Sequence, residues 1–111
     1  MNKLKPLSGK LTGNKKYLRL LGGSPDTAGL RSGYVRLKPK EEIGHHSTES
    51  KEEVLVILEG KAKVCFDRNP SILSAGNSFV YIPPHTGHNV INAGNIILKY
   101  IYIVTPVTKE R

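Results

Sequence analysis

The chain has 111 residues, 38% of them hydrophobic and 23% charged, a formal net charge of +8, one cysteine and no tryptophan. A chain of this length builds one core, a domain of this size burying roughly 65% of the surface its unfolded form exposes, and its composition lies in the globular range, with no disorder expected beyond the ends. The longest apolar run, Ile96 to Val104, is interrupted by Lys99 and falls far short of the ~20 residues that cross a bilayer, so no membrane span is expected. The start, MNKLKPLSGK, lacks the apolar middle of a secretory signal. The lone Cys65 can make no internal disulfide, and both features predict a cytoplasmic protein.

Taken in chain order, residues 1–16 are polar and basic, with Pro6, Gly9 and Gly13 breaking any period, and read as a tail or arm ahead of one domain over residues 17–111. KYLRLL reads as a short strand, and Gly22 to Gly33 as a loop of turn formers. GYVRLKP places Val35 and Leu37 on one face and Tyr34, Arg36 and Lys38 on the other. After PKEEIG and a histidine pair, a turn near Glu49 to Glu52 leads into VLVILE, closed by Gly60. KAKVCF is expected to pair back as a hairpin around Glu59 to Lys61, with Ala62, Val64 and Phe66 inward and Cys65 a passive wall residue. SIL, FVYIP, HNVIN and IILKYIYIV follow, separated by the turns DRNP, SAGN, PHTG and AGN. About eight short strands between turns predict an all-β, antiparallel sandwich or barrel.

Two strands, VLVIL and IILKYIYIV, are apolar on both faces, whereas a strand with one wet face alternates. Their outer side needs a cover, and a second copy of the chain supplies it most simply, because an isologous homodimer buries the same stripe twice. The alternative cover is the tail segment Leu4 to Leu11. The basic residues do not point to nucleic acid. Lys3, Lys5, Lys10, Lys15, Lys16 and Arg19 crowd the first twenty positions, and the others are scattered without a block or interleaved aromatics. Positive charge is instead expected to help draw an anionic small molecule into a cleft.

All four histidines fall in two clusters, His45 with His46 and His85 with His88. On an extended segment His46 and Thr48 point to one side, and a turn can return Glu53 beside them. Pro83 and Pro84 stiffen the approach to the second cluster. Two neutral imidazoles and one carboxylate form a facial set for a divalent metal with open positions for water or substrate. His45 is not expected to be a ligand, since its side chain opposes that of His46.

The two clusters resemble the motifs of the cupin superfamily. His46, Glu53 and Gly60 are spaced as in the first motif, and Gly76, Pro83, His88 and Asn92 resemble the second. The resemblance spans roughly Tyr34 to Val104. It implies a double-stranded β-helix, or jelly-roll barrel, with a metal held by His46, Glu53 and His88. The chain departs from the pattern at three points. The second histidine of the first motif falls on Thr48 or Glu49, the interval from Gly76 to Pro83 is one residue longer than usual, and His85 stands where the second motif has glycine. His85 is therefore considered as a replacement donor.

A set of nitrogen and oxygen donors suits Fe, Mn, Ni, Co or Zn, without choosing among them. Glu53 doubles as the candidate catalytic acid–base group. Thr48, Leu55, Ile57, Phe79, Tyr81, Tyr100 and Tyr102 are expected to wall the pocket, and inward tyrosine hydroxyls would favour a polar or aromatic small-molecule ligand. Isomerase, dioxygenase and decarboxylase-like chemistry all suit such a centre. The rival reading is a non-catalytic binding or sensor barrel without a metal.

Overall fold

Short alternating stretches broken by turn residues produce nine strands in this computed structural model, which describes residues 4–107; among them no helix occurs. They are β1 (Tyr17–Gly22), β2 (Arg31–Leu37), β3 (His46–Ser47), β4 (Lys51–Glu59), β5 (Lys61–Phe66), β6 (Ile72–Ala75), β7 (Ser78–Ile82), β8 (Gly87–Asn92) and β9 (Leu98–Pro106). One sheet has the order β1-β2-β9-β4-β7 and the other β3-β8-β5-β6. All pairings are antiparallel, as the strand pattern predicts. Residues 1–3 of the predicted tail and 108–111 of the predicted domain lie outside the described residues.

The inward faces of the two sheets meet in a core of Val35, Leu37, Leu55, Ile57, Ala62, Val64, Val80, Ile82, Val90, Leu98 and Tyr100. Burying each of the larger aliphatic side chains contributes about 1.5–3 kcal/mol before conformational entropy is charged against it. Register arranges the inward face of the larger sheet in rows. Val35, Tyr100 and Ile57 form one, Gly33, Tyr102 and Leu55 the next, and Arg31, Val104 and Glu53 the one nearest the open end. Cross-strand partners share a face, so the charged groups are concentrated at that end while the lower rows carry only aliphatic side chains, glycine and the two tyrosines.

Three expectations change. The hairpin expected around Glu59 to Lys61 does not form, because β4 pairs with β7 and β9 while β5 pairs with β6 and β8. Gly60 is instead the corner at which the chain passes from one sheet to the other. Its φ is +93°, and a Cβ there would lie 2.8 Å from the Ile97 carbonyl oxygen, so only glycine fits the turn. The chain between His46 and Glu53 likewise crosses between sheets rather than forming a hairpin. Finally, Phe79 and Tyr81 do not face the interior. Val80 is the cross-strand partner of inward Leu55, while Phe79 and Tyr81 pair with Val56 and Val54 on the outer face, where they remain 71% and 51% exposed. FVYI is apolar at every position, so its phase is set by register and not by its own pattern.

The outer face of the larger sheet is therefore apolar, as the unalternating strands suggested. Tail residues Leu4 and Leu7 lie beside Leu21, Asp26 and neighbouring residues, and they remain 56% and 65% exposed.

Candidate metal centre

His46 and His88 are direct partners across the short β3–β8 ladder, their rings edge-on with centroids 4.2 Å apart. Glu53 approaches from β4 in the opposite sheet. One donor atom from each of the three residues lies within 4.8 Å of the other two, so residues 46, 53 and 88 meet around one point between the sheets. Glu53 and His88 are buried and His46 is exposed at the mouth, so the three residues would hold an ion from the inner side.

The hydrogen bonds prepare both rings. His88 Nδ1 lies 3.0 Å from the Thr86 carbonyl, and His46 Nδ1 lies 3.0 Å from the Gly44 carbonyl. A carbonyl can only accept, so in the neutral rings Nδ1–H donates and each Nε2 keeps its lone pair. Buried His88 Nε2 has no hydrogen-bond partner. It lies 3.2 Å from Glu53 Oε1, within ion-pair reach but without hydrogen-bond alignment. An orphaned imidazole nitrogen facing a carboxylate fits a cation placed between them. In the absence of an ion a proton competes for the same place. Burial opposes charging His88, but the Glu53 carboxylate and the Thr86 carbonyl outweigh it and hold the pKa above the usual histidine value.

Thr48, at the position where the motif has a second histidine, is fully engaged elsewhere. Its hydroxyl donates to the Pro83 carbonyl at 2.7 Å and accepts from Thr86 N–H at 3.0 Å. Thr48 thus ties the chain before β4 to the loop that delivers His88, and among the described residues the candidate donor set has three members. Asn92 is also structural. Its buried amide donates to the Leu37 and Ile96 carbonyls and accepts from Gly94 N–H, fixing the turn into β9.

His85 does not join the centre. It is exposed, has a left-handed backbone with φ +54°, and borders a different cleft with His45 and Asp67. It occupies the glycine position of the motif and adopts the conformation that a glycine would supply, so it serves as a turn residue. His45 points away from His46 and contacts Asp67 at 2.9 Å. Cys65 is a free thiol on the face opposite buried Val64.

The centre opens into a cavity of about 330 Å³. Of the expected wall residues, Thr48, Leu55, Tyr100 and Tyr102 line it. Ile57 is fully buried in the core below it, and Phe79 and Tyr81 lie outside. Gly33 makes room for the Tyr102 ring, which a Cβ would meet at 2.6 Å. Burial pushes the Tyr100 hydroxyl strongly upward, aided by the charge of Glu53, so it remains a protonated donor. Arg31, Lys51, Tyr17, Ile43, Val90 and Val104 also line the cavity and were not anticipated as wall residues. Arg31 was hidden because β2 begins at residue 31, inside the stretch that reads as loop; the inward parity of Val35 was the available signal for that strand.

Comparison with known proteins places these features. A cupin domain family model matches residues 33–104. A 56-residue stretch is 36% identical to an uncharacterized protein of Methanocaldococcus jannaschii, covering 50% of this chain and 44% of that protein, so the chain spans less than half the length of that relative. Among solved structures, a predicted oxalate decarboxylase from Thermotoga maritima superposes with TM-score 0.74 at 18% identity, covering 82% of this chain and 79% of that one. A cupin 2 conserved barrel domain protein from Salinispora arenicola gives 0.71 at 20% identity, covering 93% and 87%. At these identities the structures speak for the fold alone. The family match runs from the strand that opens the cavity to the strand that closes it, and the chain belongs to the cupin family.

Proposed function

We propose that the protein holds a divalent metal on His46, Glu53 and His88 and uses it to bind or transform a small polar or aromatic molecule in the adjoining cavity. The supporting observation is the convergence of three donors from two sheets within 4.8 Å, one of them a buried imidazole nitrogen with no hydrogen-bond partner. A bound ion would polarise an oxygen of the ligand as a Lewis acid. The chain's own residues do the rest. The Thr86 and Gly44 carbonyls orient the two rings, Tyr100 offers a protonated hydroxyl, and Leu55 and Val90 keep water from the inner wall. Glu53 supplies the negative charge that makes the set favour a cation, and it is the candidate acid–base group for isomerase, dioxygenase or decarboxylase-like chemistry. The protein acts as a cytoplasmic homodimer in this reading.

A second reading is a binding barrel that needs no metal. It is favoured by the engagement of Thr48, which leaves three donors instead of four. A thermal-shift screen of small organic molecules on chelator-stripped protein and on the same protein reloaded with Mn, Fe, Co, Ni or Zn separates the two, because a ligand that binds only the folded state raises Tm. Ligand-induced shifts confined to the reloaded protein are expected. Shifts of equal size in both would favour the metal-free reading.

A further inference from the structure

The open end of the cavity carries two cations that the metal centre does not use. Arg31 is the cross-strand partner of Val104, and Val104 of Glu53. Arg31 therefore shares the sheet face of Glu53, two strands away, at a strand separation of roughly 9–10 Å, and stands exposed at the rim. Lys51 lies two residues before Glu53 on β4, with the same parity, and both cations line the cavity. The Arg31 stem passes Gly23, where a Cβ would lie 3.0 Å from its Cγ, so the glycine leaves room for it. Among the described residues neither cation is ion-paired; the pairs are Lys16–Glu41, His45–Asp67, His88–Glu53 and Lys99–Glu59.

The carboxylates of the cavity are Glu49 and Glu53. They balance Arg31 and Lys51, so a divalent ion at the centre leaves the cavity with an excess of positive charge. Below the mouth the wall is Val35, Leu55 and Val90, which offers no partner to a second charge. The combination is a polar mouth and an apolar floor joined by the protonated Tyr100 hydroxyl.

We propose, resting on the reading of this cavity as a metal-dependent site, that its ligands are small carboxylic acids: Arg31 and Lys51 hold the carboxylate and the apolar body lies over Val35, Leu55 and Val90. A guanidinium takes a carboxylate through two parallel N–H donors, and the isosteric amide cannot accept in the same way or answer the positive charge. Neutral polyols and aliphatic alcohols are disfavoured by the same arrangement.

The test is calorimetric titration of metal-reloaded protein with benzoate and with benzamide, alongside elemental analysis of each sample. Benzoate is expected to bind roughly tenfold or more tightly than benzamide. Arg31→Gln/Lys51→Gln is expected to remove that preference with unchanged metal content, and Arg31→Lys, which keeps the charge but not the two parallel donors, to retain only part of it. Failure of benzoate to bind, equal affinity for the two probes, or an undiminished preference in the double Gln variant would overturn the proposal. Metal content that is equal in the wild type and in His46→Ala/His88→Ala would instead remove the metal assignment. It would leave the carboxylate preference to be judged by its own variants.

Discussion

His88 shows how the smallest features decide the chemistry. Its Nδ1 is committed to the Thr86 carbonyl, so Nε2 must accept whatever the Glu53 side supplies, and in stripped protein that is a proton held with a raised pKa. Because the folded value lies above the unfolded one, this proton stabilises the folded state below the ordinary histidine pKa of about 6.5, and the contribution is lost as pH rises through the folded value. A metal must displace the proton. The rise in Tm produced by Zn is therefore expected to be larger at pH 8 than at pH 6; a pH-independent rise would contradict this. His85 is the contrasting case, a histidine in a left-handed turn and away from the centre. His85→Gly is expected to leave metal content unchanged and to stabilise the fold by about 0.5–1 kcal/mol through relief of backbone strain. Loss of metal in that variant would restore His85 as a donor.

At the scale of elements, the site depends on chain crossings between the sheets. Both segments, Thr48–Ser50 between β3 and β4 and Gly60 between β4 and β5, move the chain from one sheet to the other. The first sets Glu53 opposite the histidine ladder and the second closes the core. Gly60→Ala combines an unfavourable φ with contact against the Ile97 and Leu98 backbone, and it is expected to cost on the order of 2–3 kcal/mol or more, read as a lowered denaturant midpoint. A midpoint within error of the wild type would refute the corner assignment. Strand positions were legible because alternation and turn chemistry are local signals, as in GYVRLKP and KAKVCF. Pairing was not. The run VLVILEGKAKVCF reads as a hairpin from its own residues, and only the competing partners β9 and β8 show that its halves belong to different sheets. The phase of FVYI was hidden for a related reason, since an apolar run carries no parity of its own.

Among the described residues of the whole molecule, the larger sheet carries an exposed apolar stripe of Phe79 and Tyr81 beside half-buried Val54 and Val56. Covering it with a second copy would bury the same stripe twice. Light scattering is expected to give a dimer for the wild type and a monomer for Phe79→Lys, a substitution at an exposed position that spares the core; a monomeric wild type or a dimeric variant would contradict this. The centre was legible as two histidine clusters and a glutamate of suitable chemistry, but the choice of His46, Glu53 and His88 came from the motif resemblance and not from residue type alone. The cavity cations were less so, because Arg31 is one arginine among many basic residues until register aligns it with Glu53. What remains decisive is whether the three donors take an ion. Elemental analysis of protein purified without chelator should find close to one divalent metal per chain in the wild type and almost none in His46→Ala/His88→Ala, whereas equal metal in both would contradict the assignment.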